Sequence, residues 1–248
     1  MQTLKTISTI ETSSVCNLSC LYCVNRLMLK NGRTPSIMTD EIFECSLYWL
    51  KKLVDAGTQK DINMNGNGEP TLDSQLCVRI KRVKEIIGDT AKVCMSTNGL
   101  LMSPLLAKDL KDTGIDFIDL STHSPWHSRR AAQMMHLAGL HGFVTHGPVA
   151  PGHNWAGQLE PEHSIPVLPK MACDPIIEGR GYISSDGDVT VCCYDYRNLG
   201  AYGHVSDNDL DQKEIKKFIL CATCHQNFTK EEIEEEQKKI KEGANRHE

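Results

Sequence analysis

Strand-like and helix-like segments alternate through the first two-thirds of the chain, and this limits the possible folds more than any other feature. LKTISTIE (4–11) carries β-branched residues at the alternation of a strand. TDEIFECSLYWLKKLVDAG (39–57) has Thr39 or Asp40 as a cap, apolar residues at 42, 43, 47, 50, 53 and 54, and Gly57 as a stop, the pattern of a helix. DINMNG (61–66) reads as a short strand, LCVRIKRVKEIIG (76–88) as a helix ended by Gly88, and AKVCMSTNG (91–99) as a strand running into a turn. SPLLAKDLKDTG (103–114) offers a Ser cap, Pro at the first helical position and a Gly exit. IDFIDLS (115–121) is a strand, HSRRAAQMMHLAGL (127–140) a helix and GFVTHGPV (142–149) a fifth strand, with a sixth expected near SIPVLP (164–169). Repeated βα units predict a parallel sheet with functional residues at the C-terminal strand ends. Too few strands are present to close an eight-stranded barrel, so the expected fold is α/β, an open, partial (βα)6-like barrel.

Five of the ten prolines fall between Pro148 and Pro169, which reads as a long irregular connection. Beyond it, GYISSDGDVTVCC (181–193) predicts a β-hairpin turning at Asp186-Gly187. DLDQKEIKKFIL (209–220) and TKEEIEEEQKKIKEG (229–243) read as helices. Two domains are therefore expected, 1–165 and 166–248. The net charge of −5 supplies no basic field for nucleic acid or an anionic membrane. No apolar run approaches the roughly 20 residues of a span, and the N-terminus lacks a signal peptide's apolar stretch. The expectation is a cytoplasmic protein without nucleic-acid or membrane partners.

Eleven cysteines then need a reason, because cytosolic thiols stay reduced and clustered ones read as metal-binding or catalytic. Cys45, Cys77 and Cys94 stand alone in apolar patterns and read as core. In CNLSCLYC, Cys16, Cys20 and Cys23 are spaced so that they cannot share one helix face; they need a loop wrapped around a ligand. Structural zinc wants four ligands, normally as two separated pairs. A four-iron cluster takes one thiolate per iron, so three thiolates leave one iron open.

This spacing, with aromatic Tyr22 before the last cysteine, resembles the signature of radical S-adenosylmethionine (SAM) enzymes. The resemblance implies that SAM binds the open iron and is cleaved to a 5′-deoxyadenosyl radical that abstracts a hydrogen atom, the cofactor carrying the hard chemistry. MNGNGEPTL (64–72) resembles the family's Gly-Gly-Glu-Pro segment, which receives the SAM amino group; Gly66, Asn67, Gly68, Glu69 and Pro70 are the matching positions, with Asn67 where the family has its first glycine. CMSTNG (94–99) resembles the segment facing the SAM ribose and carboxylate, through Ser96 and Asn98. Ser121 and His123 end the fourth strand, at the next position round the rim.

Cys173, Gly187 and Cys192, followed by Cys221-x2-Cys224, resemble a shortened SPASM pattern, the twitch domain. It implies a second, auxiliary four-iron cluster held by Cys173, Cys192, Cys221 and Cys224; a four-cysteine zinc site is the alternative. Cys193 reads as a substitute for Cys192, as a thiol that returns a hydrogen atom to a product radical, or as a residue facing the other side of the strand. The layout resembles the 2-deoxy-scyllo-inosamine dehydrogenases, compact members of the superfamily that oxidise a cyclitol alcohol.

Seven of the ten histidines lie between His123 and His163, near Arg129, Arg130, Trp126 and Trp155, a wall suited to a hydroxylated or peptide substrate. Most of these histidines are expected to be structural or exposed. Alcohol oxidation needs a base, for which His123, His153 or an arginine are candidates. The expected reaction is oxidation or epimerisation of a small carbohydrate- or cyclitol-like molecule, with a flavodoxin- or ferredoxin-type reductant. Modification of a ribosomally made peptide is the alternative; it is disfavoured because the catalytic loop starts at Cys16, leaving no room for a leader-gripping segment. A zinc-stapled binding protein is the non-enzymatic reading.

Overall fold

The computed structural model describes residues 2–121, 125–145, 155, 158 and 173–222. Within them the chain runs β1 (Thr6–Ile10), α1 (Asp40–Asp55), β2 (Ile62–Asn63), α2 (Leu76–Ile87), β3 (Val93–Thr97), α3 (Pro104–Asp112) and β4 (Phe117–Ser121). It continues through α4 (Pro125–Leu137), β5 (Gly142–Thr145), α5 (Asp174–Ile177), β6 (Arg180–Ile183), β7 (Asp188–Thr190) and β8 (Gly203–His204). The first three helices begin where the sequence signals them, α4 begins two residues earlier than expected, and α5 is not among the expected helices. Thr39 Oγ1 accepts from Ile42 N at 3.2 Å, and Ser103 Oγ accepts from Leu106 N at 3.1 Å with Pro104 behind it. Gly88, at φ 58°, ends α2.

All eight strands form one open sheet in the order β5-β4-β3-β2-β1-β6-β7-β8. The pairs from β5 to β1 are parallel, and β6 is parallel to the other side of β1, with Thr6 opposite Arg180 and Ile10 opposite Ile183. This is the α/β partial barrel that the alternation predicts. The hairpin is also present, as antiparallel β6 and β7, with β8 beyond. Its first strand supplies a sixth parallel member of the barrel sheet, which the sequence pattern does not reveal. The strand expected near 164–169 and the helix expected at 229–243 lie outside the described residues.

Strand periodicity sorts the two faces. Ile7, Ile10, Ile62, Val93, Met95, Ile118 and Leu120 are buried, and pack with Phe43, Leu47 and Leu50 of α1, Ile80 and Val83 of α2, Leu110 of α3 and Met135 of α4 in a single core. Each such side chain contributes about 1.5–3 kcal/mol by leaving water. The intervening positions, Ser8, Cys94, Ser96, Asp119 and Ser121, are half-buried and mostly polar. Cys45 and Cys77 pack against the core as expected, whereas Cys94 shares the face of Ser96.

One expected element is absent in its expected form. Residues 209–220 contain a 3₁₀ turn at Leu210–Gln212 and the start of another at Ile219–Ala222, with Lys213 extended between them. Tertiary contacts override helical propensity: Leu210 and Ile215 are buried, and Ile215 N donates to Gln2 O at 2.7 Å. No helix among the described residues is long and apolar enough to cross a membrane.

Candidate active site at the strand ends

Beyond β1 the chain enters the loop of Cys16, Cys20 and Cys23, which neighbouring segments hold in place. Ser14 N donates to Ser36 O at 2.9 Å, and Glu69 N donates to Val15 O at 2.8 Å. Asn25 Nδ2 bridges Ser14 O (2.7 Å) and Asn67 O (2.8 Å). Cys23 caps the 3₁₀ turn Val24–Leu27, its Sγ accepting from Asn25 N at 3.5 Å.

The segment after β2 lies directly against this loop. A Cβ on Gly68 would stand 2.4 Å from Ser13 O and 2.6 Å from Val15 O, so only glycine fits. Gly66 is equally confined, since its Cβ would fall 2.2 Å from Tyr182 Oη. Asn67 turns its side chain inward: Nδ2 donates to Glu11 Oε1 (3.1 Å) and Tyr182 Oη (3.0 Å). The buried Glu69 carboxylate accepts from Thr71 N (3.1 Å), Thr71 Oγ1 (2.6 Å), Thr97 Oγ1 (2.7 Å) and Asn98 N (2.8 Å), joining the ends of β2 and β3. Pro70 is buried at the start of the 3₁₀ turn Pro70–Leu72.

At the end of β3, Ser96 N donates to Asn65 Oδ1 at 2.8 Å, and Ser96 Oγ stands 3.5 Å from Asp119 Oδ2. Asn98 Nδ2 donates to Asn17 Oδ1 at 2.7 Å, tying this strand end to the cysteine loop. One cavity of about 180 Å³ lies among these elements. Its walls are Cys16, Cys20, Tyr22 and Cys23 from the loop, Asn65 to Glu69, Ser96 to Asn98, Ser121 of β4, and Trp155. Pro70 alone of the expected SAM contacts is not among its lining residues.

Trp155 Nε1 donates to Tyr22 O at 3.0 Å, and its ring meets Tyr194 edge-on with centroids 5.7 Å apart. Trp126 is exposed, with its ring edge-on to His127 and 5.9 Å from the Arg130 guanidinium. His127, His136 and His141 are exposed, as expected for most of the histidines. His123, His153 and Cys224 lie outside the described residues.

Burial pushes the Cys16 thiol up, backbone N–H groups oppose it, and the charges of Glu69 and Cys20 add to the rise. Burial likewise takes Cys23 up to about 11, with Cys20 and Cys16 contributing. Tyr22 is raised by burial, then by its hydrogen bond to Cys20 and by the charges of Cys20 and Cys23. At Cys23 the Arg26 guanidinium opposes the rise. A cationic iron centre among the three sulfurs would reverse that balance, so the donor set fits a cluster. Among the described residues no three His, Cys, Asp or Glu side chains converge on a single metal ion.

Of the second cysteine set, Cys173 precedes α5 and Cys192 follows β7. Cys173 O accepts from Ile176 N and Ile177 N at 3.1 Å, and Cys192 O accepts from Asp195 N at 3.1 Å. Cys221 lies in the 3₁₀ turn Ile219–Ala222, its Sγ accepting from Phe218 N at 3.4 Å. Cys193 is exposed and near enough for its charge to add to the upward shift of Tyr182, which burial dominates.

Sequence reasoning missed Asn65, Thr97, Glu11, Arg33 and Asn25, which line or support this site. The available signal was Glu11 itself, a charge ending an otherwise apolar or hydroxylated strand.

Comparisons with known proteins show the same fold. The probable GTP 3′,8-cyclase of Thermoplasma volcanium is 30% identical over 115 residues, 46% of this chain and 32% of that protein, so the match spans about a third of the relative's length. A crystal structure of BtrN in complex with AdoMet and 2-DOIA superposes with a TM-score of 0.64 at 19% identity, covering 85% of this chain and 83% of that one. Native anSMEcpe with bound AdoMet gives a TM-score of 0.54 at 15% identity, covering 88% and 86%. Residues 10–155, more than half of the chain and including the whole cysteine loop and the strand ends beside it, match the radical SAM superfamily, and the chain belongs to that superfamily, whose members use a four-iron cluster and SAM.

Proposed function

We propose that Cys16, Cys20 and Cys23 hold a four-iron cluster, that SAM occupies the cavity beside it, and that the enzyme abstracts a hydrogen atom from a small polar, carbohydrate- or cyclitol-like substrate. The observation that carries this reading is the convergence of three separate sequence segments, 16–23, 65–69 and 96–98, on one cavity. When bound, the cluster and SAM supply the 5′-deoxyadenosyl group that takes the hydrogen atom. The chain's own residues bind and orient. The backbone of Gly66 to Gly68 faces the cavity and receives the SAM amino group, while Glu69 fixes that segment against β3. Ser96, Asn98 and Ser121 offer polar contacts to the remainder, and Tyr22 and Trp155 close the wall above Cys23.

Residues 1–165 carry this chemistry, and Cys173, Cys192, Cys221 and Cys224 of residues 166–248 would hold an auxiliary four-iron cluster, which in an oxidation would supply the acceptor for the substrate radical's electron; in an epimerisation a thiol would return a hydrogen atom instead. Oxidation or epimerisation is the outcome, with a flavodoxin or ferredoxin as reductant. His123 is the candidate base, and Cys193 the candidate thiol. Ser96 and Ser121, which border the cavity, and Asp119 beside Ser96 support a hydroxylated substrate. BtrN, of the same fold, is seen in complex with AdoMet and 2-DOIA, which supports the cyclitol class.

Anaerobic reconstitution tests this reading, with iron, zinc and sulfide counted in wild type and in the Cys16/Cys20/Cys23→Ala variant. About eight irons in wild type, about four in the variant, and 5′-deoxyadenosine formed from SAM and dithionite only by wild type are expected. About four irons with one zinc removes the electron-accepting role of the second site. Zinc alone without nucleoside overturns the enzyme reading. Turnover of a peptide but of no cyclitol or sugar replaces the substrate class.

A further inference from the structure

One buried carboxylate does not line the cavity but is hydrogen-bonded to Asn67, which does. Glu11 follows β1 directly and is fully buried. Every group around it is a donor. Oε1 accepts from Asn67 N (2.7 Å), Asn67 Nδ2 (3.1 Å) and Tyr182 Oη (2.7 Å). Oε2 accepts from Ser185 N (3.1 Å) and pairs with Arg33 Nη2 (2.5 Å). Arg33, itself buried, donates onward to Tyr196 O (2.9 Å), Asp186 Oδ2 (2.8 Å) and Ser185 Oγ (3.2 Å). Four segments meet at this one carboxylate: the end of β1, residues 66–69, the chain beyond the cysteine loop, and the β6–β7 turn.

We infer that Glu11 is a positioning residue that aims the Asn67 peptide, and with it the Gly66–Gly68 backbone, at the bound SAM. The inference rests on the reading of the cavity as a SAM site. Arg33 has a different part: it supplies the counter-charge without which a buried carboxylate is unfavourable. The two parts separate by mutation. Arg33→Met strips the counter-charge but leaves Asn67 N and Tyr182 Oη their acceptor. The double variant Glu11→Met/Arg33→Met removes both charges, which buried pairs tolerate when the replacements pack well, but orphans Asn67 N.

Stability and affinity are therefore expected to rank the variants in opposite orders. On thermal denaturation of the cluster-free chain, Arg33→Met melts below the double variant. On equilibrium dialysis of reconstituted protein with iron counted, Arg33→Met binds SAM within about threefold of wild type. The double variant binds roughly ten- to a hundredfold more weakly, the usual loss when a supporting partner is removed. Hydrogen exchange at the Asn67 amide speeds up in the double variant beyond its rate in Arg33→Met. A purely structural role cannot invert the two orders.

A double variant with wild-type SAM affinity, or affinities that follow melting temperature across the set, overturns the inference alone. Wild type that assembles the cluster and binds no SAM overturns the cavity reading and this inference with it. If Arg33→Met does not fold, Arg33→Lys takes its place: near-wild-type affinity is expected, and a loss as large as in the double variant overturns the inference.

Discussion

Glu69→Gln isolates the contribution of the carboxylate that joins β2 to β3. All four groups facing Glu69 donate to it, two of them backbone N–H groups: Thr71 N at Oε1 and Asn98 N at Oε2. A glutamine must place its amide nitrogen at one of these positions. The Thr71 and Thr97 hydroxyls can rotate, but neither backbone N–H can, so one buried donor faces another in either orientation. An unsatisfied buried donor costs about 1–3 kcal/mol, and loss of charge from the remaining bonds adds about 1 kcal/mol. A total of about 2–4 kcal/mol in a chain of this size lowers Tm by about 4–16 °C. Calorimetry of the anaerobic, cluster-free protein reads this directly, with no cofactor bound to mask it. A Glu69→Gln protein melting within about 1 °C of wild type would refute the four-donor reasoning.

Gly68→Ala drives a methyl group into Ser13 O and Val15 O, and is expected to cost at least the ~1–3 kcal/mol of overpacking while lowering the iron retained by Cys16, Cys20 and Cys23; iron analysis beside a melting curve checks both. Asp116→Asn tests a surface-proximal pair. Burial alone would raise the Asp116 carboxyl, but the Lys84 ammonium and the Val93 N–H outweigh it and hold the group below its ordinary value. A lowered folded value adds stability above the unfolded pKa of about 3.9 and loses it as pH falls through the folded one, so the wild-type advantage over Asp116→Asn should be full near neutrality and vanish in acid; denaturation midpoints measured from pH 7 downward decide. Thr39→Ala removes the α1 cap and should cost about 1 kcal/mol while leaving iron content and SAM affinity unchanged, as titration of each will show.

The cysteine loop and the two strand-end segments were legible because each is a short contiguous run whose residue types state their chemistry. Thr39, Ser103 and Gly88 act within one helical turn, so their meaning is local too. The Glu11–Arg33 pair is not local: its members lie 22 positions apart, and nothing in either residue's neighbours names the other. Asn67 shows the same limit at a matched motif position, since its inward rotamer is set by Glu11 and Tyr182. Residues 209–220 carry helical propensity that burial of Leu210 and Ile215 overrules. Hairpin periodicity announces β6 as a strand, but alternation along one segment cannot say that its far edge pairs with β1.

That pairing bears on how the protein is made. Glu11 and Ser185, joined beside the β1–β6 ladder, lie 174 positions apart in the chain. During synthesis β1 emerges before β6 and waits, one edge bare, while the segments between them follow. A bare parallel edge invites foreign strands, and such distant partners close slowly. The carboxylate beneath Asn67 also lacks its partners on the β6–β7 turn throughout that interval. Ser14, just before the cysteine loop, also waits for Ser185 Oγ, its partner at 2.9 Å, so cluster insertion is expected to follow the pairing of β6 with β1.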